Sequence, residues 1–150
     1  RGRAELGIAI AARTVRIASE VATTVVVTGD RGVAAWAEGV GAGSVSEHPG
    51  GLDGAAAALV ERAEGRPWII LHADLPRLGV EDLIEAIAHL GGSGSVIAPS
   101  WDGGTSLIGG TGPMEFAYGA GSFHRHLRLP TQKLFGPRDV RLTAGGIVFG

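Results

Sequence analysis

WIILHADLPRLGVEDLIEAIAHLGGSGSVIA, residues 68–98, holds the strand–helix–strand signal from which the fold is read. Trp68–Leu71 is an unbroken apolar run without polar alternation, as expected of a central strand covered on both faces. Pro76 blocks continuation, and the turn at Leu75–Gly79 leads into a helix over Val80–Leu90. Ser95–Ala98 then returns to strand. Toward the N-terminus, alanine-rich Leu52–Glu64 reads as a helix, Ala42–Ser46 as a short strand and Arg31–Glu38 as a helix. Thr23–Thr28, TTVVVT, is a β-branched strand too apolar for a wet face, closed by Gly29-Asp30. Arg3–Ser19 is a helix with Leu6, Ala9, Ile10, Arg13 and Ile17 at helical spacing. Toward the C-terminus, Ser106–Ile108, Arg138–Leu142 and Gly146–Phe149 read as strands and Phe123–Arg128 as a helix.

Strands that recur with helices between them predict a three-layer α/β/α fold, its mostly parallel sheet covered by helices on both faces. Crossovers of this kind are right-handed in the large majority of cases. Ligands on such sheets bind beyond the carboxyl ends of the strands. That rule places Asp30, His72–Asp74 and Pro99–Thr105 at one edge.

The 150 residues are enough for one domain with a real core, and 45% hydrophobic against 19% charged residues places the chain among well-packed proteins. Aromatics are only 5% and glycines number 26, so the interior is built from Ala, Val, Leu and Ile with many tight turns. A net charge of −2 gives no broad basic face for nucleic acid. The absence of cysteine excludes disulfides, thiolate metal sites and a cysteine nucleophile. Apolar runs are broken by Gly, Pro or charge, so no membrane span is expected. The charged start RGRAELG has no apolar signal core, so export is not indicated, and the absence of cysteine fits a cytoplasmic protein.

Several residues carry candidate chemistry. Asp74 follows WIILHA where a buried strand emerges. A carboxylate there suits Mg²⁺, which takes a few hard oxygen ligands together with waters and substrate phosphates. The same residue reads equally well as a helix cap or a turn brace. His72 points to the same face as Asp74 and is read as packing or support. Asp102-Gly103-Gly104-Thr105 joins two strands. Its glycines can expose N–H groups as an anion nest, with the Thr105 hydroxyl beside them; Asp-Gly is equally a hairpin signal.

Gly119-Ala120-Gly121-Ser122 precedes the last helix. Ser122 suits its N-cap, and a helix N-terminus attracts anions, although capping alone also accounts for the serine. Arg125 can add a charge-assisted contact to a phosphate. His124 and His126 lie roughly opposite one another on that helix, which argues against a joint metal site. Gly50-Gly51-Leu52-Asp53-Gly54 opens the alanine-rich helix, either as a purine or ribose loop or as a plain entry capped by Asp53. The nucleophile-elbow pattern Gly-x-Ser-x-Gly is absent, so a serine hydrolase is not supported.

Taken in order, RAELGIAIAARTV at 3–15, VVVTGD at 25–30, GGLDGAAAA at 50–58, HADLP at 72–76, VIAPSWDGGTSLI at 96–108 and FAYGAGSFHRH at 116–126 resemble one family. It is the 2-phospho-L-lactate guanylyltransferase family of coenzyme F420 biosynthesis, whose actinobacterial members are described as phosphoenolpyruvate guanylyltransferases. The resemblance implies a single-domain, nucleotide-diphospho-sugar-transferase-like (Rossmann-like) fold. It implies a reaction that joins GMP from GTP to a phosphorylated three-carbon acid and releases pyrophosphate, with Mg²⁺. Asp74 matches the family's metal-binding aspartate. Thr105, Gly119 and Ser122 match positions that hold the carboxylate and phosphate of the acid, beside Gly104 and Arg125. Asp53, with Gly51, stands in the nucleotide loop where the family has Asn. Residues 1–150 are expected to lack the family's first strand and basic loop, which grips the triphosphate, and its late Asp-Val-Asp segment. A sheet edge left open in this way invites pairing into a homo-oligomer.

Two other readings stand beside this one. A molybdopterin guanylyltransferase or sugar-phosphate nucleotidyltransferase would share the fold and strand-end aspartate without needing the GSFHRH helix entry. A non-catalytic module would keep the acid pocket and perform no transfer.

Overall fold

The computed structural model describes residues 2–46, 49–128, 140–143 and 146–149. They form a mixed α/β fold of two compact units, Arg1–Glu47 with His72–Ile84, and His48–Leu71 with Glu85–Gly150. Among the described residues no helix is long and apolar enough to cross a membrane.

The first unit runs α1 (Gly2–Val21), β1 (Val25–Val27), α2 (Arg31–Gly39) and β2 (Gly43–Val45). The TTVVVT run ends where Asp30 takes over as N-cap of α2. Its Oδ1 accepts from the N–H of Gly32 at 2.7 Å and of Val33 at 3.0 Å, satisfying donors that have no partner within the helix. β1 and β2 pair in parallel, Val25 opposite Gly43 and Val27 opposite Val45, with α2 as the crossover. The core of this unit gathers Val15, Ala37 and Ala42, flanked by Val26, Trp36 and Val40. Only the C-terminal half of α1 contributes to it, since Leu6 and Ile8 are exposed. The unit ends in the start of α4 (Val80–Ser93), where Asp82 accepts from the N–H of Gly79 at 2.8 Å.

The second unit contains α3 (Gly51–Arg62), β3 (Trp68–Leu71), the later turns of α4, β4 (Ser95–Pro99), β5 (Thr105–Gly110) and α5 (Ser122–Arg128). A separate antiparallel pair, β6 (Val140–Thr143) with β7 (Gly146–Phe149), sets Val140 opposite Phe149. The first two residues of the strand expected over Arg138–Leu142 lie outside the described residues.

The principal sheet has the order β3-β5-β4, and β5 is antiparallel to both neighbours. Here the structure departs from the mostly parallel sheet expected from the alternation of elements. The reason is local: the link from Pro99 to Thr105 is far too short for a parallel crossover, which needs a dozen or more residues. β3 and β4, joined through α4, do run in the same direction, but β5 is inserted between them. Its first residue, Thr105, therefore lies at the edge where β3 and β4 end.

Val96, Ile97 and Ile108 are completely buried in this sheet. The next-to-last position of β5 also requires a residue without a side chain. A Cβ on Gly109 would lie 2.8 Å from Val96 Cγ1 and 2.9 Å from both Ile69 Cγ1 and the Trp68 carbonyl oxygen. Both flanking strands press on that position, so Gly109→Ala is expected to destabilise the protein by about 1–3 kcal/mol, the usual range for overpacking. Chemical denaturation checks this, and unchanged stability would mean that the sheet relaxes without strain.

Candidate functional site

Ser100–Gly104 closes the β4–β5 hairpin. The N–H of Ser100 donates to the Gly104 carbonyl at 2.9 Å, and that of Gly103 to the Ser100 carbonyl at 3.0 Å. Asp102 folds back over the turn, its Oδ1 accepting from the Gly104 N–H at 3.0 Å and from the Ser100 hydroxyl. Of the two readings of this loop, the contacts are those of a hairpin. The N–H groups of Gly103 and Gly104 bond within the turn, so they do not form an outward-facing nest. Gly104 delivers the chain to Thr105, and the Gly103 carbonyl accepts from the N–H of Phe123 at 3.2 Å, tying the hairpin to α5.

The segment before α5 is held from two sides. Arg125 turns its guanidinium back along the chain, donating from Nε and Nη2 to the Ala117 carbonyl at 3.1 and 3.0 Å. It also donates from Nη2 to the Tyr118 carbonyl at 3.1 Å and from Nη1 to that of Ala120. In this structure the arginine clamps main-chain carbonyls; it does not stand open for a phosphate. Gly119 fits beneath it with φ +121°, where a Cβ would lie 3.2 Å from Arg125 Nη2. From the other side, Asp53 Oδ1 accepts from the Tyr118 N–H at 2.8 Å. Asp53 is thus not the N-cap of α3, a position taken by Gly50 without a side-chain bond. Gly51 is the first residue of α3, in a left-handed conformation with φ +62°.

Phe116 stacks on Tyr118 with ring centroids 6.0 Å apart, and the Tyr118 ring meets His126 edge-on at 5.0 Å. Burial, helped by the Asp53 carboxylate, keeps the Tyr118 hydroxyl protonated well above its ordinary range.

Between these two loops lies a buried polar trio. Thr105, Ser122 and His126 are 3%, 1% and 0% exposed. Thr105 Oγ1 is 3.0 Å from Ser122 Oγ and 2.8 Å from His126 Nδ1, while His126 Nε2 accepts from the N–H of Ala117 at 2.9 Å. A nitrogen that accepts from an N–H carries no hydrogen itself. The hydrogen-bond network therefore assigns the neutral ring's proton to Nδ1, directed at Thr105.

The pKa of His126 is lowered to about 4, chiefly because burial penalises the imidazolium; Arg125 adds to the lowering and Asp53 opposes it. An unfolded histidine titrates near 6.5, so below that pH the unfolded chain takes up a proton that the folded one refuses. This contribution to stability is complete above about pH 6.5 and is lost as the pH falls toward 4. We expect a loss of about 3 kcal/mol across that window. Denaturation at neutral pH and at about pH 5 checks it against His126→Asn, in which this part of the slope should vanish. Equal slopes would contradict the assignment.

Asp74 belongs to the first unit, in the segment after β3, and its side chain is exposed. The helix that follows is closed by Asp82 through Gly79, so Asp74 does not serve as its cap. Among the described residues no group of three or more His, Asp or Glu side chains gathers as a ready-made metal cage. A single exposed carboxylate nevertheless suits Mg²⁺, which is commonly held by one or two carboxylates plus waters and substrate phosphates.

Three features escaped the sequence reading: the clamp by Arg125, the bond that the Tyr118 N–H donates to Asp53 and the place of His126 in the polar trio. A signal existed only for the last. His126 lies four residues after Ser122, one helical turn away on the same face.

Residues 3–135 match the family described as guanylyl transferase CofC like. No curated protein matches the chain.

Proposed function

We propose that this chain, which belongs to the guanylyl transferase CofC-like family, joins GMP from GTP to phosphoenolpyruvate or 2-phospho-L-lactate in coenzyme F420 biosynthesis. The observation that carries the reading is the family match over residues 3–135, which includes Asp74, the Asp102–Thr105 loop and the Gly119–Ser122 segment. With it go the three-layer nucleotide-diphospho-sugar-transferase-like frame and a place in the cytoplasm.

In the reaction, a phosphate oxygen of the acid attacks the α-phosphorus of GTP in line. A new P–O bond forms, the bond from the α-phosphorus to its bridging oxygen breaks, and pyrophosphate leaves with the electron pair. No covalent enzyme intermediate is needed, so positioning and electrostatics account for the catalysis. Thr105 and Ser122 would supply hydroxyl groups to the acid, with Gly104 and Gly119 in the bends that lead the chain to them. The role of Arg125 in this reading is to fix the carbonyls of Ala117, Tyr118 and Ala120 and to contribute positive charge. Gly51 and Asp53 are assigned to the nucleotide loop. Mg²⁺ held by Asp74 would neutralise charge on the phosphates.

A substrate panel tests this. Pyrophosphate release from GTP is expected with phosphoenolpyruvate or 2-phospho-L-lactate, and not with sugar phosphates or a molybdopterin acceptor. Release only with the latter acceptors would move the chain to another nucleotidyltransferase activity. Binding of the acid without release would leave a non-catalytic module.

A further inference from the structure

The trio contains more hydroxyl hydrogens than it uses. Thr105 and Ser122 each bring one, and their mutual 3.0 Å bond takes one of the two, whichever residue is the donor. The other could have gone to His126, which lies 2.8 Å from Thr105 Oγ1 through Nδ1. It cannot, because Ala117 donates to Nε2 at 2.9 Å and so places the ring's hydrogen on Nδ1. The histidine fills a lone pair of Thr105 and accepts nothing from it. In the opposite tautomer Thr105 would donate to Nδ1 and Ser122 to Thr105, and the chain would be closed. In the tautomer fixed here, one hydroxyl hydrogen of the pair remains for a third group.

We propose that His126 is a positioning residue: by donating from Nδ1 to Thr105 it reserves a hydroxyl hydrogen of the Thr105–Ser122 pair for an anionic oxygen of the acid. This rests on the reading of that pair as the acid's binding site. The acid offers only acceptors through its carboxylate and phosphate when both are ionised, so a site that presents a net donor favours it. The main-chain N–H of Ala117, fixed between the Arg125 clamp and the aromatic rings, sets the polarity of the whole chain of bonds.

The test combines the state of the ring with kinetics on the full-length protein. ¹⁵N NMR at neutral pH is expected to show His126 protonated at Nδ1 and bare at Nε2. His126→Phe is expected to raise the KM for the acid about tenfold, as for loss of one hydrogen bond to a charged group, with the KM for GTP unchanged. His126→Asn, whose side-chain amide can donate from the place of Nδ1, is expected to restore most of that loss. A ring protonated at Nε2 overturns the proposal even if neither variant folds. So does a normal KM for the acid in His126→Phe when Ser122→Ala raises it. If Ser122→Ala and His126→Phe both leave the KM for the acid unchanged, the binding site itself has been misassigned, and the inference falls with it.

Discussion

Asp74→Ala is expected to abolish Mg²⁺-dependent pyrophosphate release while leaving the fold intact. The carboxylate is exposed and does not cap the helix that follows, so its removal should change stability by no more than about 0.5 kcal/mol. Its loss to catalysis should be much larger. A metal that neutralises phosphate charge contributes several kcal/mol to transition-state stabilisation, and at about 1.4 kcal/mol per factor of ten this is roughly 10³-fold in rate. Pyrophosphate release across a magnesium titration measures it. A variant that is folded and nearly inactive at every metal concentration fits the assignment. Near-normal turnover would remove Asp74 from the mechanism and return it to the role of a surface residue.

The second large effect concerns Thr105 and Ser122. Ser122→Ala is expected to raise the KM for the acid at least about tenfold with little change for GTP, because a hydrogen bond to a charged oxygen is lost. Thr105→Val should do more. It keeps the shape of the side chain but leaves His126 Nδ1–H without an acceptor in a site where all three residues are buried. An unsatisfied buried donor costs about 1–3 kcal/mol, so stability should fall together with affinity for the acid. Thr105→Ser, which retains the hydroxyl, should recover most of both. The burial of these residues makes the comparison decisive. If the two KM values shift equally, the trio serves only to hold α5 against the hairpin.

Much of the element pattern was legible in the chain because it depends on local signals. WIIL and TTVVVT lack polar alternation and became β3 and β1, although β3 lies at the end of its described sheet and not at the centre. Asp30, expected only to close the strand, also caps α2. Strand direction was less legible. Hydrophobic period identifies Ser106–Ile108 as a strand but says nothing about its neighbours, and the insertion of β5 between β3 and β4 is settled only by pairing. The short Pro99–Thr105 link was the one available clue to the antiparallel sheet.

The site divides in the same way. Ser122, Thr105 and the glycine bends could be singled out because a hydroxyl beside glycines can present donors to an anion. Arg125 and Asp53 could not be assigned their bonds, since both address main-chain groups, and main-chain positions leave no trace in side-chain identity. Arg125 reads in sequence as a cation available to a phosphate, yet its donors reach the carbonyls of Ala117, Tyr118 and Ala120. His126 was discounted because it faces away from His124; its partner was Ser122's neighbour in space, Thr105, on a different element.

The chemistry itself is tested most directly by ³¹P NMR of a reaction mixture containing GTP, Mg²⁺ and either phosphoenolpyruvate or 2-phospho-L-lactate. The expected result is a pair of mutually coupled resonances from a new P–O–P linkage between the GMP phosphorus and the acid's phosphorus, with an equal amount of pyrophosphate. GTP cleaved to free GMP, or left intact with both acids while another phosphorylated acceptor is guanylylated, would contradict the proposed transfer.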